Sequence, residues 1–183
     1  CGRESDEAPD LTARICGICP VAHQLAAARA VEAAGGIEPD DDVARLRRIL
    51  LCGEWLESHA LHVYFLHAPD FFDCPDALAL GHRDPKALQR GLALKKAGNA
   101  LVAGIGGREV HPVNFRVGGF YRLPDCAELQ SMGELLQWAL ELALETVRWT
   151  AGFEIPAFLS EFEALSIDEG DRYPTIGDRI RTE

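Results

Sequence analysis

The chain has 183 residues, enough for one domain that buries roughly 70% of the surface its unfolded form exposes, and 48% of it is hydrophobic. No apolar run approaches the ~20 residues needed to cross a bilayer, so a soluble globular chain with no transmembrane segment is expected. Its 18 basic and 29 acidic side chains give a formal charge of −11, which repels phosphate backbones and argues against nucleic acid as a partner.

The six cysteines (Cys1, Cys16, Cys19, Cys52, Cys74 and Cys126) lack the density and regular spacing of a secreted disulfide scaffold, and no signal segment opens the chain. They read as thiols in a reducing compartment. The first residue is Cys1, the sole methionine is Met132, and Arg179-Ile180-Arg181-Thr182-Glu183 follows a strand-like stretch with no closing element. The expectation is a single partial domain over 1–183, cut at both ends, with apolar helix faces left uncovered and prone to aggregate.

In chain order, the alanine-rich run from Val21 to about Ala34 predicts a helix stopped by Gly35-Gly36. A second helix is expected from an Asp41 or Asp42 N-cap to His67, ended by Ala68-Pro69. A third begins at Pro85 and runs to about Val102, broken by Gly104, Gly106 and Gly107. Val110 to Tyr121 suits a loop or short hairpin, and leucines at helical spacing place a fourth helix over Ala127 to Trp149. Ala164 to Ile167 and Tyr173 to Ile180 read as strands. The fold class is therefore mainly α, with a short β/loop segment.

The sharpest chemical feature is Arg14-Ile15-Cys16-Gly17-Ile18-Cys19-Pro20-Val21-Ala22-His23, which opens the first of these helices. Two thiols three positions apart can converge on one metal ion, and the positive end of a helix beside them lowers their pKa values. Thiolates suit nickel and low-spin iron rather than magnesium or calcium. His23, one helical turn past Cys19, is placed to support a sulfur or a ligand of the metal. Half a zinc site, a thioredoxin-like pair and two packed thiols are the competing readings of C-x-x-C. Zinc lacks two further ligands at usable spacing, and no buried strand precedes Cys16.

This string resembles the first nickel-binding motif of the nickel–iron hydrogenase large subunit. The Gln24 to Glu32 stretch looks like that family's helix after the motif. Ser58-His59-Ala60-Leu61-His62-Val63-Tyr64-Phe65-Leu66-His67-Ala68-Pro69-Asp70 is similar to its histidine-rich helix, and Gly107-Arg108-Glu109-Val110-His111-Pro112 with Gly118-Gly119 resembles a third block. Ile18 to Gln24 looks most like the cytoplasmic, multisubunit, cofactor-linked members. The resemblance implies a helical-bundle core, with Cys16 as a terminal nickel ligand and Cys19 bridging nickel to an iron that carries carbon monoxide and cyanide. His23 would support the bridging sulfur. It further implies heterolytic cleavage of H2, with a thiolate as base, and an iron–sulfur small subunit that takes the electrons.

The family completes its centre with D-P-C-x-x-C-x-x-H and an upstream glutamate block, and these residues contain neither. The expectation is that this piece alone does not turn over hydrogen. Two other readings are a non-catalytic relative like the quinone-site subunit of complex I, against which the cysteine pair argues, and a two-thiolate metal or redox module.

Several other residues have two readings each. His59, His62 and His67 are either a proton path or metal site, or buried structural histidines. Glu54 and Glu57 read as a solvated or subunit-facing edge, and His111 as a group hydrogen-bonding near the site or one that fixes its loop. Arg108, Arg116 and Arg122 read as partner contacts or surface charges. Cys52 and Cys126 are expected as small buried thiols, and Cys74 has no assigned role.

Overall fold

The computed structural model describes residues 2–157, 160–167 and 180–182. The chain divides into two compact units, one running to Gly152 and the other starting at Phe153. In the first, a 3-10 turn at Ser5–Glu7 leads into α1 (Ala8–Ala13), and then come α2 (Pro20–Gly35) and α3 (Asp41–Leu61). A π-helical turn at His62–His67 continues α3 into α4 (Ala68–Phe71), followed by α5 (Ala77–Arg83) and α6 (Pro85–Gly106). A hairpin of β1 (Phe115–Arg116) and β2 (Gly119–Phe120) precedes α7 (Cys126–Thr150). The second unit contributes β3 (Leu165–Ile167) paired antiparallel with β4 (Ile180–Thr182). Of the strand predicted over Tyr173 to Ile180, residues 173–179 lie outside the described residues.

The mainly helical expectation holds, with differences at the helix ends. Asp40, not Asp41 or Asp42, caps α3, its carboxylate accepting from Val43 N at 2.8 Å. Ala68-Pro69 does not end the helical path, because a proline in the first turn of α4 forfeits no intrahelical bond. Gly104 does not break α6; termination waits for Gly107, whose φ of 87° supplies the left-handed cap. The short helices α1 and α5 were not predicted.

Helices α3 and α6 form the centre of the unit. They run antiparallel, with Leu50 facing Gly106, Gly53 facing Gly98 and Leu101, and Tyr64 facing Gly91. A Cβ on Gly98 would meet Glu57 N at 2.5 Å and Gly53 O at 2.6 Å, so glycine here sets the backbone separation. Around that contact Leu50, Leu101 and Ile105 are fully buried, each worth about 2 kcal/mol of burial. Tyr64 closes the other end, its ring stacked on Trp149 at 5.1 Å and its hydroxyl within reach of Thr146 and Arg90.

A buried ion pair joins α2, α3 and the hairpin. Arg47 donates to both oxygens of Glu32 at 2.6 and 2.9 Å, Gly118 N donates to the same carboxylate at 2.7 Å, and Arg47 lies over the Phe115 ring. Burial opposes ionisation of Glu32, but the Arg47 and Gly118 donors outweigh it and hold the carboxyl below its ordinary range.

Candidate metal centre

The motif spans the break between α1 and α2. Two hydrogen bonds hold the end of α1: Thr12 Oγ1 donates to His23 O of α2 at 3.2 Å, and His111 Nδ1, from the loop after α6, donates to Ala13 O at 2.9 Å. Cys16 lies in the connecting turn, Cys19 is the N-cap of α2, and Pro20 opens the helix where its missing N–H costs nothing. One turn later His23 returns to the same side. Among the described residues, Cys16, Cys19 and His23 form a group of three ligand atoms all within 4.8 Å of one another. All three are half-buried.

The electrostatics only partly follow the helix-dipole expectation. Cys16 is held below the usual thiol range because the Cys19 thiol donates to its sulfur, helped by the Cys19 and Ile18 amides at 3.1 and 3.4 Å. Cys19 is pushed up to about 11 by donating to Cys16, by burial, and by the charges of Cys16 and Glu54. The first free amides of α2 do not face the thiols. Val21 N and Ala22 N instead donate to Glu54 Oε2 and Oε1, at 2.6 and 3.1 Å.

Glu54 and Glu57 therefore correct the sequence reading. They are 3% and 8% exposed, not a solvated edge. The i, i+3 spacing puts both on the face of α3 that meets α2 and α6, where Glu57 pairs with Lys95 at 2.7 Å. Burial pushes Glu54 up to about 7, against the pull of the Val21 and Ala22 amides, and the Glu57 charge adds to the rise.

The structure does not bring the other candidates to the centre. His59, His62 and His67 are exposed, which overturns the buried reading; His62 Nδ1 donates to Ser58 O, and the His62 and His67 rings meet edge-on at 5.7 Å. His111, at φ 53°, acts as a loop anchor through its bond to α1. Arg108 is satisfied by Val110 O and His111 O, Arg122 by Glu128, and Arg116 lies over the Tyr121 ring. Cys52 and Cys126 are exposed, not buried: Cys52 lines an apolar groove with Leu56, Leu101 and Leu140, and Cys126 is the first residue of α7. Cys74 Sγ donates to Phe72 O beside the left-handed Asp73.

Residues 1–100 match the family model described as nickel-dependent hydrogenase. The chain belongs to this family. Sulfhydrogenase 2 subunit alpha of Pyrococcus furiosus is 40% identical to this chain over 182 residues, covering 98% of it and 44% of that protein. Sulfhydrogenase 1 subunit alpha of the same organism is 33% identical over 188 aligned positions, covering 98% and 42% respectively. A solved NAD+-reducing NiFe-hydrogenase in the H2-reduced state superposes over 100% of this chain and 44% of its own, with a TM-score of 0.79 at 25% identity. The chain thus spans less than half the length of these relatives. No helix among its described residues is long and apolar enough to cross a membrane.

Proposed function

We propose that this chain supplies one half of the nickel–iron centre of a hydrogenase large subunit, in an enzyme that cleaves H2 reversibly to protons and electrons. The observation that carries the reading is the convergence of Cys16 Sγ, Cys19 Sγ and the His23 ring within 4.8 Å at the start of α2, in a chain of the nickel-dependent hydrogenase family. Two sulfur donors that converge on one point fit a soft, thiolate-bound metal. In this reading Cys16 and Cys19 would hold the metal pair, Cys16 on nickel and Cys19 shared with an iron that would carry carbon monoxide and cyanide.

When bound, the metal pair supplies the Lewis acidity that makes H2 a usable acid. The residues of this chain do the rest. The thiolate sulfurs would bind the metals and offer a base for the released proton, and the His23 ring would support the Cys19 sulfur. The second cysteine pair and the upstream glutamate belong to the remainder of the subunit, of which 1–183 forms the amino-terminal to middle part of one domain. Electrons leave through an iron–sulfur small subunit, and the assembly is cytoplasmic.

The test is nickel content and H2-dependent dye reduction in the full-length subunit purified with its partner. Cys16→Ser and Cys19→Ser should each lower bound nickel by more than ~10-fold and abolish dye reduction, while Cys74→Ser keeps both. A Cys16→Ser protein with a full complement of nickel would sink the assignment.

A further inference from the structure

Helix α2 begins with a conflict between two tasks. Its N-cap position ordinarily carries Ser, Thr, Asp or Asn, whose side-chain oxygen accepts from the second or third amide of the helix. Here the N-cap is Cys19, which makes no side-chain cap bond. A sulfur that capped its own helix would be turned back over the Val21 and Ala22 amides and away from Cys16 and His23.

The missing acceptor arrives from another helix. Glu54, on α3, places Oε2 2.6 Å from Val21 N and Oε1 3.1 Å from Ala22 N, so each carboxylate oxygen takes one orphan donor. The rest of α3 at this point cannot drift. Gly53, the preceding residue, packs against Leu101 and Gly98 of α6, and Glu57, one turn on, is paired with Lys95 of α6. The start of α2 is thereby referenced to the close contact between α3 and α6.

We infer that Glu54 is a positioning residue for the metal centre: it caps α2 in place of Cys19, frees both sulfurs for the metal, and fixes Cys19 and His23 relative to Cys16. The inference rests on the reading of Cys16 and Cys19 as metal ligands. Glu54 touches backbone only and takes no part in ligation.

The experiment uses the full-length enzyme with Glu54→Gln, Glu54→Asp and, as a control at the start of the same helix, Asp40→Ala. Asp40→Ala removes the α3 cap bond to Val43 N without touching the motif or the residues that anchor Glu54. Four quantities are read: nickel per subunit, the g-values of the nickel EPR signal, hydrogen–deuterium exchange at Val21 and Ala22, and the thermal midpoint.

In Glu54→Gln one amide loses its acceptor, so exchange at Val21 and Ala22 should rise about tenfold, nickel should fall about tenfold, and the remaining nickel should show shifted g-values. Glu54→Asp keeps the charge but not the reach, so it should fall between Glu54→Gln and wild type, and it carries the test if Glu54→Gln does not fold. Asp40→Ala should lower the thermal midpoint and leave nickel, g-values and exchange as in wild type.

Glu54 variants with wild-type nickel and g-values, and a lowered midpoint like that of Asp40→Ala, would reduce Glu54 to a general stabilising contact and overturn the inference alone. Wild-type enzyme that carries no nickel would overturn the functional reading, and this inference with it.

Discussion

Glu54 is carried into the interior at the expense of its own ionisation. Its ordinary pKa is 4.5 and in the folded chain it lies at about 7. Between those values the folded form holds a proton that the unfolded form has released, so this group contributes most below pH 4.5 and its contribution is lost as pH rises toward 7. Glutamine at the same position does not titrate. The thermal midpoint of Glu54→Gln relative to wild type should therefore climb between pH 5 and pH 7.5, and a difference that stays flat or falls would show that the carboxyl is not buried as described. Cys16, Cys19 and His23, which the structure brings together, could be grouped from sequence because their spacing and the helix start are local features. It misplaced Glu54 and Glu57 because the partners of Glu54 are main-chain amides 32 and 33 positions away, and a backbone donor leaves no letter in the sequence. The only trace was a cysteine at an N-cap with no oxygen to offer.

At the level of elements, the long helices were readable from propensity and leucine spacing, and their stops from glycine and proline. α1 and α5 were missed because at six and seven residues they are too short to show a period; α1 is held in part by Thr12 and by the bond from His111, across a gap of 98 positions. The π-helical turn at His62–His67 escaped for the same reason, since its residues are ordinary helix formers. The α3/α6 contact makes a sharp prediction. Gly98→Ala puts a methyl 2.5 Å from a backbone nitrogen, and backbone cannot swing aside as a side chain can, so it should cost about 1–3 kcal/mol. Gly133→Ala, in the middle of α7 with nothing within 4 Å of the new methyl, should instead gain about 0.5–1 kcal/mol from helix propensity. Denaturant midpoints of the two variants should move in opposite directions.

Across the whole chain, apolar surface is unevenly distributed. α7 buries Ala139, yet Leu129, Leu136, Trp138, Leu140, Leu144 and Val147 are all exposed. Part of that surface walls the groove of about 450 Å³ shared with Ile49, Cys52 and Leu56. Exposed apolar area on this scale drives association, so the 183-residue chain alone should sediment as aggregate or oligomer. Replacing Leu136 and Leu140 together by lysine should raise its monomer fraction several-fold in sedimentation velocity; a wild-type chain that sediments as a clean monomer would contradict the expectation. The sequence foretold uncovered faces but not which one, because α7 is apolar on most of its circumference and only its packing on α6 chooses a side.

The cross-links around the motif also impose an order in time. Cys16 and Cys19 are near the start of these residues, but what holds them comes later: Glu54, then His111 on Ala13 O, then Pro112, whose carbonyl accepts from the buried Gln24 amide at 2.7 Å. At ribosomal speeds of ~5–20 residues per second, the dithiol spends about 5–20 s as an open, unheld segment before its last anchor has been made. The shape of the proposed metal site thus depends on residues not yet translated when the dithiol first appears.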